Sequence, residues 1–308
     1  MPLSDEKKWK AVRQPVVAGL FYPSDRDELF ETIHRCFTSS LGPGQFPKKI
    51  QTDKAIVQNA VKRVECLIVP HAGYMHSGPV AAHSYSIAHD FIHAHAAAKH
   101  VNCVIFGPNH LGIGSGVALS PARAWRTPLG DVAVDETFST SLARKSSIID
   151  IDELSHSREH SIEVQLPFLQ SICGTRAVDL SFVPICFMLQ DIDTAREVAN
   201  EVYTMIEKSE EPFLILGSSD LSHYETQREA TSKDHKLLES VEKLDLLSFY
   251  SVLERLNVTS CGYGAIATVM EISRRLGCKR GTLLKYATSA YSTGDESSVV
   301  GYPAVHFV

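Results

Sequence analysis

Apolar residues along this chain gather into short continuous runs, each stopped by proline, glycine or a polar residue, with amphipathic stretches of helical spacing between them. Cys66-Leu-Ile-Val69, Val101 to Gly107, Leu180 to Cys186 and Phe213 to Leu216 are such runs. Their length and their Val, Ile, Leu and Phe content predict strands buried on both faces. Helices with one apolar face are predicted from Asp25 to about Thr38, Asp191 to Ser209, Ala230 to about Lys243, Leu246 to Leu256 and Gly264 to Arg275. A helix rich in small residues is expected from Ser77, its candidate N-cap, through Ala88, another from near Asp135, and, within His156 to Leu169, a helical pattern headed by Glu159 and His160. Val16 to Pro23 reads as a short strand or docked turn, Gly42 to about Asp53 as a loop, Trp125 to Asp131 as turn-rich, and Leu284 to Tyr291 and Val299 to Val308 as closing strands. About seven to nine strands thus alternate with about seven helices, without internal repeat. That alternation predicts an α/β protein of three αβα layers, with a central mostly parallel or mixed sheet covered by helices on both faces. Residues 1–14 are expected to form a flexible polar leader, and 15–308 one α/β domain.

A chain of 308 residues with 44% hydrophobic and 21% charged residues has ordinary globular composition. Its net charge of −6 leaves no footprint for nucleic acid or an anionic membrane surface. No uninterrupted apolar stretch approaches the roughly 20 residues that cross a bilayer, and the N-terminus lacks a hydrophobic signal core. A cytoplasmic protein is the expectation. The 7 cysteines include no C-x-x-C pair. Cys66, Cys103 and Cys186 fall inside apolar runs as small core residues, whereas Cys261 sits between polar Thr259-Ser260 and flexible Gly262-Tyr-Gly264, a setting that suits access.

The chemistry-bearing residues follow the strands. Cys66-Leu-Ile-Val69 ends at Pro70 and delivers His71; the run from Val101 delivers His110; Phe213 to Ser219 delivers Asp220 and His223; Val258-Thr-Ser260 delivers Cys261. Open α/β sheets bind ligands outside the carboxyl ends of their strands, so one site assembled from these ends is the economical reading, with two imidazoles and a thiolate as a metal shell. Asp220 and His223, three apart, suit a carboxylate-oriented imidazole acting as general base. In Glu159-His-Ser-Ile-Glu163, His160 and Glu163 share a helix face; they serve either as a local capping pair or as a proton-shuttling pair at the crevice. H-E-x-x-H and G-x-S-x-G are both absent, which argues against a zinc-protease helix and against serine hydrolysis. His89, His93, His95 and His100 read as a solvated helix end, with metal binding by the tract as the alternative.

Pro70-His-Ala-Gly-Tyr74, Gly107-Pro-Asn-His110, Thr127-Pro-Leu-Gly-Asp131, Glu159-His-Ser-Ile-Glu163, Ser218-Ser-Asp-Leu-Ser-His223 and Cys261-Gly262 occur in the order found in the Memo family, and Ala18-Gly-Leu-Phe-Tyr-Pro23 fits as well. The chain therefore resembles Memo proteins over nearly its whole length, and its Cys261-Gly-Tyr-Gly264 is similar to members labelled AmmeMemoRadiSam system protein B. The resemblance implies a fold similar to class III extradiol dioxygenases, which hold non-haem iron with two histidines and a carboxylate. By motif, His71 and His110 would be the imidazole ligands and His223 the acid/base, with Asp220 beside it. Cys261 takes the place of the dioxygenase glutamate. A thiolate is softer and oxidisable, which favours iron or copper redox chemistry over simple ring cleavage. Animal Memo is associated with phosphotyrosine peptides and with metal-dependent redox signalling. The implied partner is thus a small-molecule or peptide ligand in the pocket, and the alternative function is a binding module without turnover.

Overall fold

In the computed structural model of the chain, which describes residues 11–47, 63–95, 98, 100–174 and 179–308, the four apolar runs become the four central strands of one mixed sheet. These are β1 (Val64–Val69), β2 (His100–Pro108), β7 (Asp179–Phe187) and β8 (Phe213–Ser218). They pair in parallel in the order β1-β8-β2-β7. Antiparallel β11 (Val299–Phe307) and β10 (Gly281–Thr288) extend the sheet beyond β1. Beyond β7, β3 (Val117–Leu119) joins antiparallel and β6 (Ile149–Ile151) runs parallel to β3.

Alternation within each strand shows why the runs are apolar throughout. Cys66 and Ile68, Val104 and Phe106, and Phe213 and Ile215 point into one core, shared with α6 (Ile192–Glu207), α7 (Gln227–Glu242), α8 (Leu246–Leu256) and α9 (Tyr263–Arg275). Leu67 and Val69, Cys103 and Ile105, and Leu214 and Leu216 point into the other, shared with α1 (Arg26–Thr38), α2 (Tyr74–Ala94) and α5 (Leu166–Cys173). A period of two in side-chain direction, with both faces covered, turns a parallel strand into an unbroken apolar word. The predicted three-layer αβα architecture is the one observed.

Several elements differ from the sequence reading. Helix α2 begins at Tyr74 with Gly73 as N-cap; Ser77 lies inside it, its hydroxyl donating to the Ala72 carbonyl instead of capping. The turn-rich stretch is a hairpin of β4 (Ala124–Thr127) and β5 (Gly130–Val134), β5 pairing onward with β7. Two three-residue strands, β6 and β9 (His223–Glu225), carry too short a pattern to be seen in sequence. The helical pattern over 156–169 is broken into α4 (Leu154–Ser157), a 3-10 turn at Glu163–Gln165 and α5. α3 (Glu136–Lys145) begins as expected behind Asp135, whose carboxylate accepts the Phe138 N–H.

The expected loose leader is already anchored at Arg13, whose backbone bridges Trp125 and whose guanidinium lies 4.0 Å over that indole. Residues 1–10 and the part of the 42–53 loop beyond residue 47 lie outside the described residues.

Candidate metal centre

β8 lies between β1 and β2, so the carboxyl ends of three adjacent parallel strands open onto one crevice. His71 follows β1, His110 follows β2, and Ser218 closes β8; the register pairs Val69 with Ser218, which sets the Ser218 hydroxyl beneath the His71 ring. Cys261 arrives from the loop between α8 and α9. Gly262 lets that loop close on β8, because a Cβ there would lie 2.5 Å from the Ser218 carbonyl oxygen. Gln190 fixes the loop from the far side, its amide donating to the Cys261 carbonyl at 2.9 Å and accepting the Gly264 N–H at 2.8 Å.

The result is the convergence expected from the sequence: ligand atoms of His71, His110 and Cys261 all lie within 4.8 Å of one another. The His71 and His110 rings stand edge to face at 5.2 Å, and the Cys261 sulfur is 3.1 Å from His71 Nε2. One ion with bonds of about 2.0–2.3 Å gathers such a set by small side-chain adjustments.

Hydrogen-bond accounting fixes which nitrogen each ring presents. The Ser218 hydroxyl has one hydrogen, donated to the Ser161 carbonyl at 2.7 Å. Gln165 Nε2 donates to Ser218 Oγ at 2.8 Å and to the Pro70 carbonyl at 3.0 Å, while its Oε1 accepts from Tyr85 Oη at 2.7 Å. What remains on Ser218 Oγ is a lone pair, so His71 Nδ1, 2.9 Å away, donates to it and the Nε2 lone pair is directed at the Cys261 thiol, 3.1 Å away.

Around His110 the partner is an anion. Glu159 accepts the backbone N–H groups of His110, His160 and Ser161 at 2.7, 2.8 and 2.8 Å, and His110 Nδ1 donates to it at 2.9 Å. Burial alone would raise this carboxyl, but the His110 hydrogen bond, the neighbouring imidazoles and the Ser161 N–H outweigh it and hold the group at about 2. Gly107 admits the 159–162 segment, since a Cβ there would meet Ser161 Oγ at 2.5 Å. Both imidazoles are thus held with Nε2 outward, the arrangement by which supporting groups orient metal-binding histidines.

Burial, followed by the charges of His110, His160 and His223, pushes His71 well below the usual imidazole range, so it stands neutral. Burial and the nearby Asp220 charge push the Cys261 thiol upward, so without an ion the sulfur keeps its proton. A cation is what would make thiolate favourable here.

The remaining expected residues are placed as follows. Asp220 accepts the His71 backbone N–H at 2.8 Å, and burial raises its carboxyl to about 6 against the pull of that bond and of His223. The carboxylate-oriented imidazole takes a different form: His223 Nδ1 donates to the carbonyls of Leu221 at 2.7 Å and Thr259 at 3.0 Å, which leaves its Nε2 free. His160 stacks on His110 at 4.6 Å, stands 5.5 Å from His71 and is covered by Phe21 at 4.6 Å. Burial lowers His160 to about 4 despite the neighbouring Glu159 charge. Glu163 turns away from His160: it accepts from Arg13, Tyr22 and the backbone of Val16 and Val17, tying down the N-terminal segment.

Among the described residues a second potential donor group, His110, Glu159 and His160, shares a histidine with the first. Its carboxylate is already saturated by N–H donors, which makes it a poor ligand. The tract of His89, His93, His95 and His100 belongs to neither group; His93 donates to the Ile172 carbonyl and His95 to that of Phe91. Ser218, Gln165 and Gln190 surround the group of His71, His110 and Cys261, and sequence reading passed over them: the β1–β8 register sets Ser218 under His71, whereas Gln165 comes from the 3-10 turn and Gln190 from the segment after β7.

Fold and site together define an αβα protein with a crevice at the sheet's carboxyl edge, where two histidines and a cysteine form a candidate metal-binding group. The family profile described as Memo-like protein matches residues 13–306, and the chain belongs to the Memo family. A MEMO1 family protein of Methanopyrus kandleri is 41% identical, covering 96% of this chain and 98% of the relative. One from Methanocaldococcus jannaschii is 40% identical over 94% of this chain and 97% of its own, and one from Nitrosopumilus maritimus 42% identical over 96% and 100%.

Proposed function

We propose that this protein is a metal-dependent redox protein that holds iron or copper through His71 Nε2, His110 Nε2 and Cys261 Sγ. The observation that carries the reading is the orientation of both rings by buried partners, which leaves each ring one nitrogen lone pair in a group whose ligand atoms lie within 4.8 Å of one another. Two imidazoles and one thiolate suit a borderline-soft, redox-active ion better than the oxygen-preferring magnesium or calcium. Such an ion supplies the one-electron and oxygen chemistry that no side chain provides.

The chain's own residues bind, orient and exchange protons. Cys261 surrenders its proton on binding the ion. His223, with Nε2 free, holds or passes a proton at the crevice, and Asp220 keeps the His71 backbone in place by accepting its N–H. His160 walls the same space beside His110 and is a second proton carrier.

The second reading, a binding module without turnover, draws on the rim. Met75, Leu111, Ile113, Met188, Leu189 and Tyr224 are exposed large apolar residues, all in segments that follow β1, β2, β7 and β8. Exposed apolar side chains on the segments that leave the strand ends suit a small organic or peptide ligand with an apolar body. Among the described residues no helix is long and apolar enough to cross a membrane, and a cytoplasmic setting fits a thiol ligand kept reduced.

Elemental analysis and the absorption spectrum of anaerobically purified protein, followed by oxygen uptake with catechols, test the first reading. Stoichiometric iron or copper that disappears in Cys261→Ala and His71→Ala supports it. Metal content unchanged in both variants refutes it, and tight ligand binding that survives complete metal removal establishes the second reading instead.

A further inference from the structure

We propose that Tyr224 is a specificity-determining residue of this site, whose ring grips the apolar body of an aromatic ligand while the ligand's oxygens reach the His71, His110 and Cys261 group. The assignment rests on the metal-site reading above and adds the residue that selects the ligand.

Tyr224 has φ 60°, a left-handed conformation that costs a side chain with a Cβ and that glycine adopts freely. Among the described residues two other non-glycine residues share it, and both have a helix-end reason: Leu244 follows the Lys243 cap of α7, and Asn257 is the C-cap of α8. Tyr224 has no helix to end. It sits in β9 where the pairing with β11 slips, Val300 facing His223 and Val299 facing Glu225, so Tyr224 is the extra residue of a β-bulge. Bulges of this type commonly carry glycine, and they recur next to active sites because they redirect a side chain.

What the bulge presents is a phenol ring that is 81% exposed and edge-on to the His223 imidazole at 5.7 Å. Met75, Leu111 and Leu189, on the segments that follow β1, β2 and β7, are also exposed. The fold therefore keeps a large aromatic residue, at a strained backbone position, where burial gives it nothing in return. Strain retained without a packing reward at a crevice points to a contact made with something outside the chain. An aromatic ring is matched by the flat apolar body of an aromatic ligand, by offset or edge-to-face packing.

The test uses the full chain, loaded anaerobically with Fe(II) and titrated with 4-nitrocatechol, whose visible band reports binding. Tyr224→Gly is expected to weaken binding by about tenfold, with metal content unchanged and a melting temperature equal to or above that of the parent protein. Tyr224→Phe is expected to bind within about twofold of the parent. A purely structural role for the ring would lower the melting temperature of Tyr224→Gly. Equal affinity of the parent and Tyr224→Gly for the probe overturns the assignment while leaving the metal-site reading intact. A parent protein that holds iron but does not perturb the probe overturns the aromatic-ligand assignment, and a parent protein that holds no iron overturns the functional reading beneath it.

Discussion

His71 and His110 present the same nitrogen to the same space but are held in opposite ways. His71 is 2% exposed and leans on a neutral, wholly buried chain of hydrogen bonds running from Ser218 through Gln165 to Tyr85. The His110 side chain is 29% exposed and leans on an ionised carboxylate stabilised by three backbone N–H groups. Where the ring is sealed from water, a hydroxyl orients it without burying another charge, whose desolvation would be costly. At His110 the carboxylate is itself buried, and three backbone N–H groups and the ring's own Nδ1–H offset its desolvation, so that it makes the imidazole a stronger donor. An oriented Nδ1–H is thus common to the two ligands, and an anionic acceptor for that N–H belongs to one.

Among the groups that hold the ligands in place, removing the anionic support should have the largest effect. Glu159→Gln is expected to lower metal affinity by about 100-fold and to change the response to acid. The carboxyl falls from its ordinary 4.5 to about 2 in the fold, so its contribution to stability is complete above the unfolded value. That contribution, about 3 kcal/mol, is lost as pH falls through the folded value. Denaturant midpoints of metal-free protein between about pH 5 and pH 2 should fall steeply in the parent and less steeply in the variant; parallel curves would show that Glu159 is not the anionic support described here.

The thiol produces the next effect, with pH as the variable. Because burial raises Cys261, the group is protonated near neutrality and binding a metal must release that proton. Apparent affinity should therefore rise nearly tenfold per pH unit over about pH 6 to 8, and Cys261→Ser, which keeps a weak oxygen donor but has no thiol proton to release, should lose most of that slope. A flat profile in the parent protein would place the metal elsewhere.

Ser218→Ala sharpens the contrast from the neutral side. It should lower metal affinity by about tenfold, and nitrogen NMR should show the His71 ring losing its single Nδ1–H form, while His110 keeps its own. Retention of the pure form would break the hydrogen-bond account. The smallest change is expected from His160→Gln, because His160 lies beside both ligands without orienting either: metal affinity should stay within about twofold. A large loss would promote the group of His110, Glu159 and His160 to a binding site.

The central strands were legible because burial on both faces writes them as continuous apolar runs, and the residues after each run, His71, His110 and Asp220, needed only the rule that such sheets bind at their carboxyl ends. The supports were not legible. Ser218 meets His71 through the pairing of Val69 with Ser218, a long-range register that no local pattern encodes. The stretch from His156 to Glu163 has helical spacing, yet the N–H groups of His160 and Ser161 go to the Glu159 carboxylate and the Glu159 carbonyl goes to Arg13, so the helix is interrupted. Asp220 and His223 lie three apart and suggest a couple; a tertiary contact gives the carboxylate to the His71 backbone, and the imidazole goes to the local Leu221 carbonyl and the distant Thr259 carbonyl.

X-ray absorption at the metal edge of anaerobically loaded protein tests the central claim most directly. Two imidazole nitrogens and one sulfur around a single ion per chain, with the sulfur contribution absent in Cys261→Ser, is the predicted result. A metal environment without sulfur in the parent protein, or one that Cys261→Ser leaves unaltered, would contradict it.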